Sequence, residues 1–297
     1  MKAGYVALIG RPNAGKSTLL NHLVGQKIAI VSDKPQTTRH RIVGVKNTAG
    51  GQAVFFDTPG IHKPEHRMNV RMVQAAIEAL RDADVIVLIV DAASRPGAGD
   101  RYVIERLQGL KTPIILALNK IDLFAKALLL PKIALYAKVL PFAAIVPISA
   151  LAGDGTDALE REILTALPEG EALFPADYLT DQTERGLTAE VVREKVLTHM
   201  RDELPFTTAV VIDQVEEPSA GQPLYRIHAS ILVESASQKP IVVGKGGAMI
   251  RQIGTEARRD LEQMLDARVF LDLHVKVRED WREDERLLDQ LGLRPAR

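Results

Sequence analysis

The sequence predicts two domains, an α/β domain with a mainly parallel sheet and helices on both faces, followed by a smaller α+β domain. The chain has 297 residues, a length that favours two domains, each with its own core. In the first half, short apolar runs alternate with longer segments of helical periodicity, as expected for strands buried on both faces. In the last third, helical and alternating strand patterns resume after an acidic stretch that contains prolines.

The composition limits the class of protein. Hydrophobic residues make up 46% of the chain and charged residues 26%, which is ordinary for a globular protein. Cysteine is absent, so disulfides and thiolate metal sites are excluded. The 38 basic and 38 acidic residues cancel, so any surface that binds nucleic acid must be local. The sequence shows neither a signal peptide nor an apolar run of the roughly 18 residues that span a membrane, which predicts a cytoplasmic location.

The first domain, residues 1–168, is expected to alternate strands and helices. The strands are predicted at Tyr5–Ile9, Ala53–Phe56, Val85–Val90, Ile114–Leu118 and Ala144–Pro147, and the helices at Lys16–Val24, Arg67–Arg81, Tyr102–Leu110 and Thr156–Leu167. Ligands of such sheets bind at the carboxyl ends of the strands. The residues that follow each strand are therefore the candidates for a binding site.

The first strand leads into a glycine-rich loop with the pattern G-x-x-x-x-G-K-S. Its members are Gly10, Arg11, Pro12, Asn13, Ala14, Gly15, Lys16 and Ser17, with Thr18 next in the helix. Glycines let the backbone N–H groups of such a loop surround α- and β-phosphates. Lys16 is expected to reach the β- and γ-phosphate oxygens, and the Ser17 hydroxyl to bind Mg²⁺. A simple glycine-rich turn is the alternative, which the flanking strand and helix disfavour.

Polar motifs also follow the second and fourth predicted strands. The second ends in Asp57, Thr58, Pro59 and Gly60, and the fourth ends in Asn119, Lys120, Ile121 and Asp122. The carboxylate of Asp57 can hold Mg²⁺ through water, and the N–H of Gly60 can meet a γ-phosphate. The carboxylate of Asp122 can accept hydrogen bonds from N1–H and the 2-amino group of guanine, whereas adenine would leave it desolvated and unpaired. The spacing therefore predicts a guanine nucleotide.

Four further residues are expected around the base. The stem of Lys120 would pack over the ring, and Asn119 would tie the nucleotide loops together. The fifth strand leads to Ser149 and Ala150, whose backbone N–H groups can donate to guanine O6. Together these motifs resemble those of a small GTPase of the translation-factor-related class, which implies binding of GTP and GDP.

This resemblance also directs attention to residues that act on the γ-phosphate. GTPases place a threonine between the first helix and second strand that binds Mg²⁺, and of Thr37 and Thr38 the resemblance assigns Thr38. The residues expected to act in hydrolysis are thus Lys16, Thr38 and Gly60. Ras-like proteins have a water-orienting glutamine after this glycine, where this chain has Ile61.

Hydrolysis is therefore expected to be slow. His62 follows Ile61, but a histidine in such a loop is more often a solvated bystander, so no general base is assigned. Asn13 lies where related GTPases that lack the glutamine use an asparagine to help bind K⁺ beside the phosphates. The cofactors expected are Mg²⁺ and, through Asn13, K⁺.

Residues 169–187 predict a linker or strap, and the second domain is expected at 188–297. Its predicted elements are a helix at Ala189–Arg201, strands at Thr208–Val215 and Leu224–Glu234, a helix at Ala248–Leu265 and a strand at Val269–Val277. The closing segment is amphipathic, with Leu287, Leu288 and Leu291 on one helical face. Trp281 could stack on a base, although packing is the more usual role of a tryptophan near a domain end.

A second loop combines glycine and lysine at Gly244, Lys245, Gly246 and Gly247. No hydroxyl residue follows this lysine and the companion motifs are missing, so a second nucleotide site is excluded. The alternative is the G-x-x-G clamp of a KH domain, which grips the backbone of about four nucleotides of RNA. Apolar residues before the loop, Ile250 and Ile253 after it, and the element order match a type II KH domain. Ile250 and Arg251 are further RNA-contact candidates, and an ordinary turn at a helix start is the alternative.

A P-loop GTPase domain followed by one type II KH domain resembles the Era family over essentially the whole chain. The resemblance rests on GRPNAGKSTLLNHLVGQKIAIVSDKPQTTRHRIVG, DTPGIHKP, NKID, SQKPIVVGKGGAMIRQIGTEARRDLE and WREDERLLDQLG. A double-GTPase assembly factor has similar first motifs but needs two such domains.

The Era resemblance implies a role in assembly of the small ribosomal subunit. It further implies that the KH domain binds near the 3′ end of 16S ribosomal RNA, and that the GTP state gates this binding. Peripheral association with the inner face of the cell membrane is also implied, although the sequence shows no anchor and no strongly basic amphipathic helix. A stand-alone regulatory GTPase whose second domain binds protein is the alternative.

Overall fold

The computed structural model describes residues 1–61, 66–94, 97–123, 125–219 and 223–293. In the first domain the strands are β1 (Lys2–Ile9), β2 (Ile42–Thr48), β3 (Gly51–Asp57), β4 (Val85–Asp91), β5 (Ile114–Asn119) and β6 (Ala144–Pro147). The helices are α1 (Lys16–Val24), α2 (Arg67–Asp82), α3 (Ala98–Leu107), α4 (Leu129–Tyr136) and α5 (Thr156–Ala166).

The six strands form one sheet in the order β2-β3-β1-β4-β5-β6. Neighbouring strands are parallel except for β2, which pairs with β3 in antiparallel fashion. Alternate residues of β1 point to opposite faces, so Ala7 and Ile9 join one buried apolar cluster, while Val6 and Leu8 join the other. Apolar packing on both faces confirms the predicted α/β fold.

Strand β2 and helix α4 are missing from the prediction, and helix α3 begins four residues before its predicted start. Strand β2 is absent from the predicted elements because Gly44 and Lys46 interrupt its apolar pattern; a Cβ on Gly44 would lie 2.7 Å from Ile28 Cδ1, which explains the glycine. Helix α3 begins at Ala98, before the predicted start, because Asp100 caps its first turn by accepting from the Gly97 N–H at 2.9 Å. Helix α4 was not predicted because its sequence contains a proline, which the first turn of a helix tolerates.

The stretch that follows α5 lies along the outer edge of β2. The Val45 N–H donates to Leu179 O at 2.8 Å, and the Thr180 hydroxyl donates to Val43 O at 2.7 Å. Nearer its start, the same stretch also contacts β3, where Gln52 Nε2 donates to Phe174 O at 2.8 Å. The stretch is therefore a strap, and it covers an edge that would otherwise expose unpaired strand groups.

The second domain contains helices α6 (Glu184–His199), α7 (Leu204–Thr207), α8 (Lys239–Val243), α9 (Ala248–Leu265) and α10 (Glu285–Gln290), with strands β7 (Ala209–Glu216), β8 (Tyr225–Val233) and β9 (Val269–Val277). The sheet order is β7-β8-β9, with an antiparallel first pair and a parallel second pair. This arrangement confirms the predicted order of helix, two strands, glycine loop, helix and strand. Helix α6 begins before its predicted start, because Thr183 caps it by accepting from the Gly186 N–H at 3.1 Å.

The C-terminal segment packs between the two domains. Trp281 is fully buried, and its indole N–H donates to Thr207 O at 2.8 Å. Its apolar cluster includes Met68 and Met72 of α2 together with Leu288 of α10. Trp281 is therefore a packing residue, which excludes the base-stacking role. None of the described helices has the length and apolar character needed to cross a membrane.

Candidate nucleotide site and RNA-binding loop

The loop between β1 and α1 has a backbone that requires glycine at two positions. Gly15 has φ of 99°, and a Cβ there would lie 2.2 Å from Asn119 Nδ2. A Cβ on Gly10 would lie 2.5 Å from Ile89 O on β4. The loop therefore fits closely against its neighbours. The pocket it forms is lined by Pro12, Asn13, Gly15, Lys16, Ser17, Thr18, Ile30, Val31, Ser32, Gln36, Thr37, Thr38 and Gly60.

Lys16 is held inside this pocket by backbone carbonyls. Its ammonium donates to Gly10 O at 3.3 Å and to Arg11 O at 3.1 Å, and the residue is only 6% exposed. Burial lowers the pKa of Lys16, and the nearby Asp57 carboxylate opposes that shift. A buried cation with carbonyl partners is stabilised further by an anionic ligand.

Ser17, Thr38 and Asp57 converge at one edge of the pocket. Ser17 Oγ lies 2.8 Å from Thr38 Oγ1 and donates to Asp57 Oδ2 at 2.6 Å; Thr38 Oγ1 donates to the same oxygen at 3.2 Å. Thr37 instead donates to Lys34 O at 2.7 Å. The structure thus brings Thr38, the threonine assigned from the sequence, to Asp57.

This cluster fits a magnesium ion. Asp57 is fully buried, and its Oδ1 atom has no hydrogen-bond partner within the described residues. Burial raises the pKa of Asp57, whereas Lys16 and the hydroxyls of Ser17 and Thr38 oppose the rise. Hydroxyl and carboxylate oxygens are the hard donors that Mg²⁺ prefers, usually with waters and phosphates completing its coordination. In the described part of the chain no cluster of three or more His, Asp or Glu offers an all-protein metal cage.

The segment after β3 approaches the phosphate loop through its backbone. A Cβ on Gly60 would lie 2.7 Å from Pro12 N, so only glycine allows this approach. Thr58 is a predicted nucleotide-binding residue, and its buried hydroxyl donates to Leu8 O at 2.9 Å and anchors the segment to β1. The neighbouring Pro59 is also buried. Ile61 is 1% exposed and packs in the core, and His62 lies outside the described residues.

Asn119 links the phosphate loop to the loop after β6. Its Nδ2 donates to Ala14 O at 2.8 Å, and its Oδ1 accepts from the Ala150 N–H at 2.9 Å. Lys120 adopts a left-handed conformation with φ of 67° and donates to Asp91 at 2.9 Å. Asp122 follows in an exposed helical turn. Asn119 is thus buried between the two loops, Lys120 is fixed beside Asp91, and Asp122 lies at the surface.

The two amides predicted to face guanine O6 have protein partners here. The Ser149 N–H donates to Asp154 O at 2.8 Å, and the Ala150 N–H donates to Asn119 Oδ1. The first bond closes the loop after β6, and the second ties that loop to Asn119. In this structure the N–H groups of Ser149 and Ala150 therefore hold Asn119 and their own loop in place, and their role towards a base stays a prediction.

A charged cluster beside the loop was not foreseen from the sequence. Arg11, expected at the nucleotide, turns its guanidinium towards Asp100 at 3.7 Å, Asp91 at 3.8 Å and the Ser94 hydroxyl. Asp91 thereby joins Arg11 to Lys120. The sequence did contain a sign that Asp91 lies at the site, because it ends a buried strand as Asp57 does.

The second glycine loop is open to solvent. Gly244, Gly246 and Gly247 have φ of 75°, 60° and 77°. A Cβ on Gly244 would lie 2.6 Å from Met249 Cβ, whereas Cβ atoms on Gly246 and Gly247 would meet nothing within 4 Å. Lys245 is exposed, as is Arg251, while Ile250 is partly buried against the core of the second domain. The loop therefore presents backbone and two cations outward.

Comparisons with known proteins agree with the domain types predicted for both parts of the chain. A family described as 50S ribosome-binding GTPase matches residues 5–120, and the KH domain family matches residues 203–282. GTPase Era of Geobacter metallireducens is 50% identical over 291 residues, which cover 98% of this chain and 97% of that protein.

Two solved structures are similar over both domains. Era in complex with MgGDPNP and nucleotides 1506–1542 of 16S ribosomal RNA is 42% identical, has a TM-score of 0.95 and covers 99% of each chain. A single-residue variant of Aquifex aeolicus Era bound to GDP·AlF4⁻ is 42% identical, with a TM-score of 0.94 and coverage of 99% of this chain and 100% of that one. The chain therefore belongs to the GTPase Era family.

Proposed function

We propose that this chain is a slow GTPase that binds the 3′ end region of 16S ribosomal RNA through its KH domain and acts in assembly of the small ribosomal subunit. The observation that carries the proposal is the pairing of the Ser17–Thr38–Asp57 cluster, in which Thr38 and Asp57 are buried, with an open glycine loop at Gly244–Gly247. A 42% identical Era was solved with MgGDPNP and nucleotides 1506–1542 of that RNA.

In the nucleotide pocket, each group has a distinct proposed role. Lys16 neutralises charge on the β- and γ-phosphates, and the backbone N–H groups of Gly10–Thr18 and Gly60 donate to phosphate oxygens. Ser17 and Thr38 hold Mg²⁺ directly and Asp57 holds it through water; when bound, the ion neutralises developing phosphate charge. Ile61 is aliphatic and buried, so it cannot orient water, which accounts for a slow intrinsic rate.

The base is recognised at the other side of the loop. The exposed Asp122 carboxylate accepts hydrogen bonds from guanine N1–H and the 2-amino group, and the Lys120 stem, fixed by Asp91, packs over the ring. Asn119 holds the phosphate loop against the loop of Ser149 and Ala150. The loops around the base are therefore held together by hydrogen bonds between protein groups.

A potassium ion beside the phosphates is the second proposed cofactor. Asn13 has φ of 62° and its Nδ2 donates to Asp33 O, so the amide oxygen is the atom that would bind the ion. Hydrolysis should be faster in K⁺ than in Na⁺, and Asn13→Ala should remove the difference. Equal wild-type rates in the two salts would exclude this role.

RNA binding follows from the form of the second loop. Gly246 and Gly247 leave open space where a side chain would stand, so a phosphate backbone can approach the main chain closely. The exposed Lys245 and Arg251 add positive charge beside it.

The test uses the double variant Gly246→Asp/Gly247→Asp, which adds bulk and negative charge to this surface. Its retention of a single-stranded 3′ tail of 16S ribosomal RNA should be lost while GTP affinity is unchanged. Lys16→Ala is the matched variant, which should lose GTP and keep the KH fold. Wild-type RNA affinity in the aspartate variant would contradict the RNA assignment and favour a second domain that binds protein.

A further inference from the structure

The loop that carries Thr38 needs support from outside its own domain. It runs from Gly25 to Arg41 without helix or strand, and long loops of this kind are uncommon unless they are functional. Its first part is fixed within the first domain by Asn21, which accepts from the N–H groups of Ile28 and Ala29 at 2.9 Å each, and Lys27 also donates to Glu194 of the second domain at 2.6 Å. The remaining part, which includes Thr38, makes contacts with the second domain in addition to those within the first.

Two adjacent residues of α6 form hydrogen bonds with the backbone of this loop. The Arg193 guanidinium donates to Thr37 O, and the Glu194 carboxylate accepts from the Val31 N–H at 3.0 Å. Arg193 is 2% exposed and Glu194 is 6% exposed. Arg193 is itself fixed by Glu190 through two hydrogen bonds, Nε–Oε1 at 2.8 Å and Nη2–Oε2 at 2.6 Å. Charge-assisted bonds in buried surroundings are the stronger class of hydrogen bond.

The residue after Thr38 is also bound to the second domain. Arg39 donates to Thr208 O at 2.8 Å and to Pro205 O at 3.1 Å, and its guanidinium lies 5.6 Å from the centre of the Trp281 ring. Thr38 is thus flanked on both sides by residues whose polar contacts reach into the second domain. Its hydroxyl lies 2.8 Å from Ser17 Oγ, and the contacts of the flanking backbone help to fix it there.

We propose that Arg193 and Glu194 of the KH domain are positioning residues for GTP hydrolysis, which act through the backbone of Thr37 and Val31 to hold Thr38 at the Ser17–Asp57 cluster. This inference rests on the proposed function of Thr38 as a γ-phosphate and Mg²⁺ contact. GDP lacks the γ-phosphate. Loss of either positioning residue therefore affects the GTP reaction more than GDP binding.

The experiment compares single-turnover GTP hydrolysis and GDP affinity in three full-length variants. Glu194→Ala removes the acceptor for the Val31 N–H, and Glu190→Gln/Arg193→Met removes the donor to Thr37 without leaving one charge of the pair buried alone. Arg185→Met is the matched control, because this arginine of the same helix donates to Ile212 O and Asp213 O on β7.

Both positioning variants should hydrolyse GTP roughly 10- to 100-fold more slowly, the loss expected for one hydrogen bond to a charged group. Their GDP affinity should stay within about a factor of two of wild type, and Arg185→Met should behave as wild type in both assays. Thermal unfolding shows which variants are folded; if the double variant does not fold, Glu194→Ala decides alone.

Wild-type hydrolysis by folded Glu194→Ala, or an equal loss of GDP affinity, would overturn the positioning role. The second result would mean that α6 supports the whole pocket and not Thr38. If the wild-type chain itself neither binds nor hydrolyses GTP, the proposed function fails instead, so the two failures are distinguishable.

Discussion

Replacing Asn119 with alanine should weaken GTP and GDP equally. This asparagine is 2% exposed and bridges Ala14 O at 2.8 Å and the Ala150 N–H at 2.9 Å. It therefore joins the loop expected to hold the phosphates to the loop behind the base. Both nucleotides use these two loops, so their affinities should fall together.

The size of the effect follows from the two backbone groups left behind. Ala14 is fully buried and Ala150 is 3% exposed, so neither group finds water without a local rearrangement. Losing a partner for a buried group costs about 1–3 kcal/mol, or about 2–6 kcal/mol for the pair. In the free variant both loops can relax towards water, and nucleotide binding must order them again. We therefore expect the binding free energy to become less favourable by about 3 kcal/mol. That corresponds to about 100-fold weaker affinity.

Calorimetric titration with each nucleotide measures this loss. Asn47→Ala is the control, because Asn47 also bridges two segments, by donating to Ala176 O at 3.0 Å, but does so at the exposed edge of the sheet. Its nucleotide affinities should match wild type. An Asn119→Ala protein that binds GDP normally and GTP weakly would refute the reasoning, because the bridge would then serve the γ-phosphate alone.

Three other changes test separate parts of the molecule. Asp122→Asn should weaken GTP and favour xanthine nucleotides, and the wild type should prefer GTP over ATP by on the order of 10⁴ in competition assays; comparable ATP and GTP binding would contradict the base assignment. Removing Mg²⁺ with a chelator should weaken GTP binding to the wild type, whereas Ser17→Ala should bind GTP equally with and without the ion. The hydrogen bond from His199 lowers the pKa of Glu256 below its usual 4.5. This carboxylate therefore stabilises the fold above that pH and the contribution disappears as pH falls through the lowered pKa. Thermal unfolding in acid should then show a smaller loss of stability for Glu256→Gln than for wild type.

Local patterns were sufficient to predict the sheet core and the phosphate loop. Strands such as β4 are continuous apolar runs, and the loop at Gly10–Ser17 carries its requirements within eight consecutive positions. Helices α1 and α9 and strand β9 match their predicted bounds for the same reason, since clear periodicity meets a glycine or polar stop at each end.

Features that depend on distant partners were not predictable in this way. The partner of Lys120 is Asp91, 29 positions earlier, and the amides of Ser149 and Ala150 are satisfied by groups that only the folded loops bring near. The hydrogen bond from Arg193 to Thr37 O joins residues that are 156 positions apart. Single-sequence patterns report faces and turns, whereas these contacts form only when the loops of the first domain, and then the two domains, come together in the fold.

The two loops that combine glycine with lysine differ physically in burial. Lys16 is 6% exposed and lies among carbonyls, so its loop suits a compact anion, whose charge would offset the desolvation of the ammonium. Lys245 is exposed on a loop whose Gly246 and Gly247 face open space, so that loop can lie against an extended chain of phosphates without enclosing any one of them. The same residue types thus suit a nucleotide in one setting and an RNA backbone in the other. The difference comes from the strand and helix that surround the first loop, and from the exposed α8–α9 turn that carries the second.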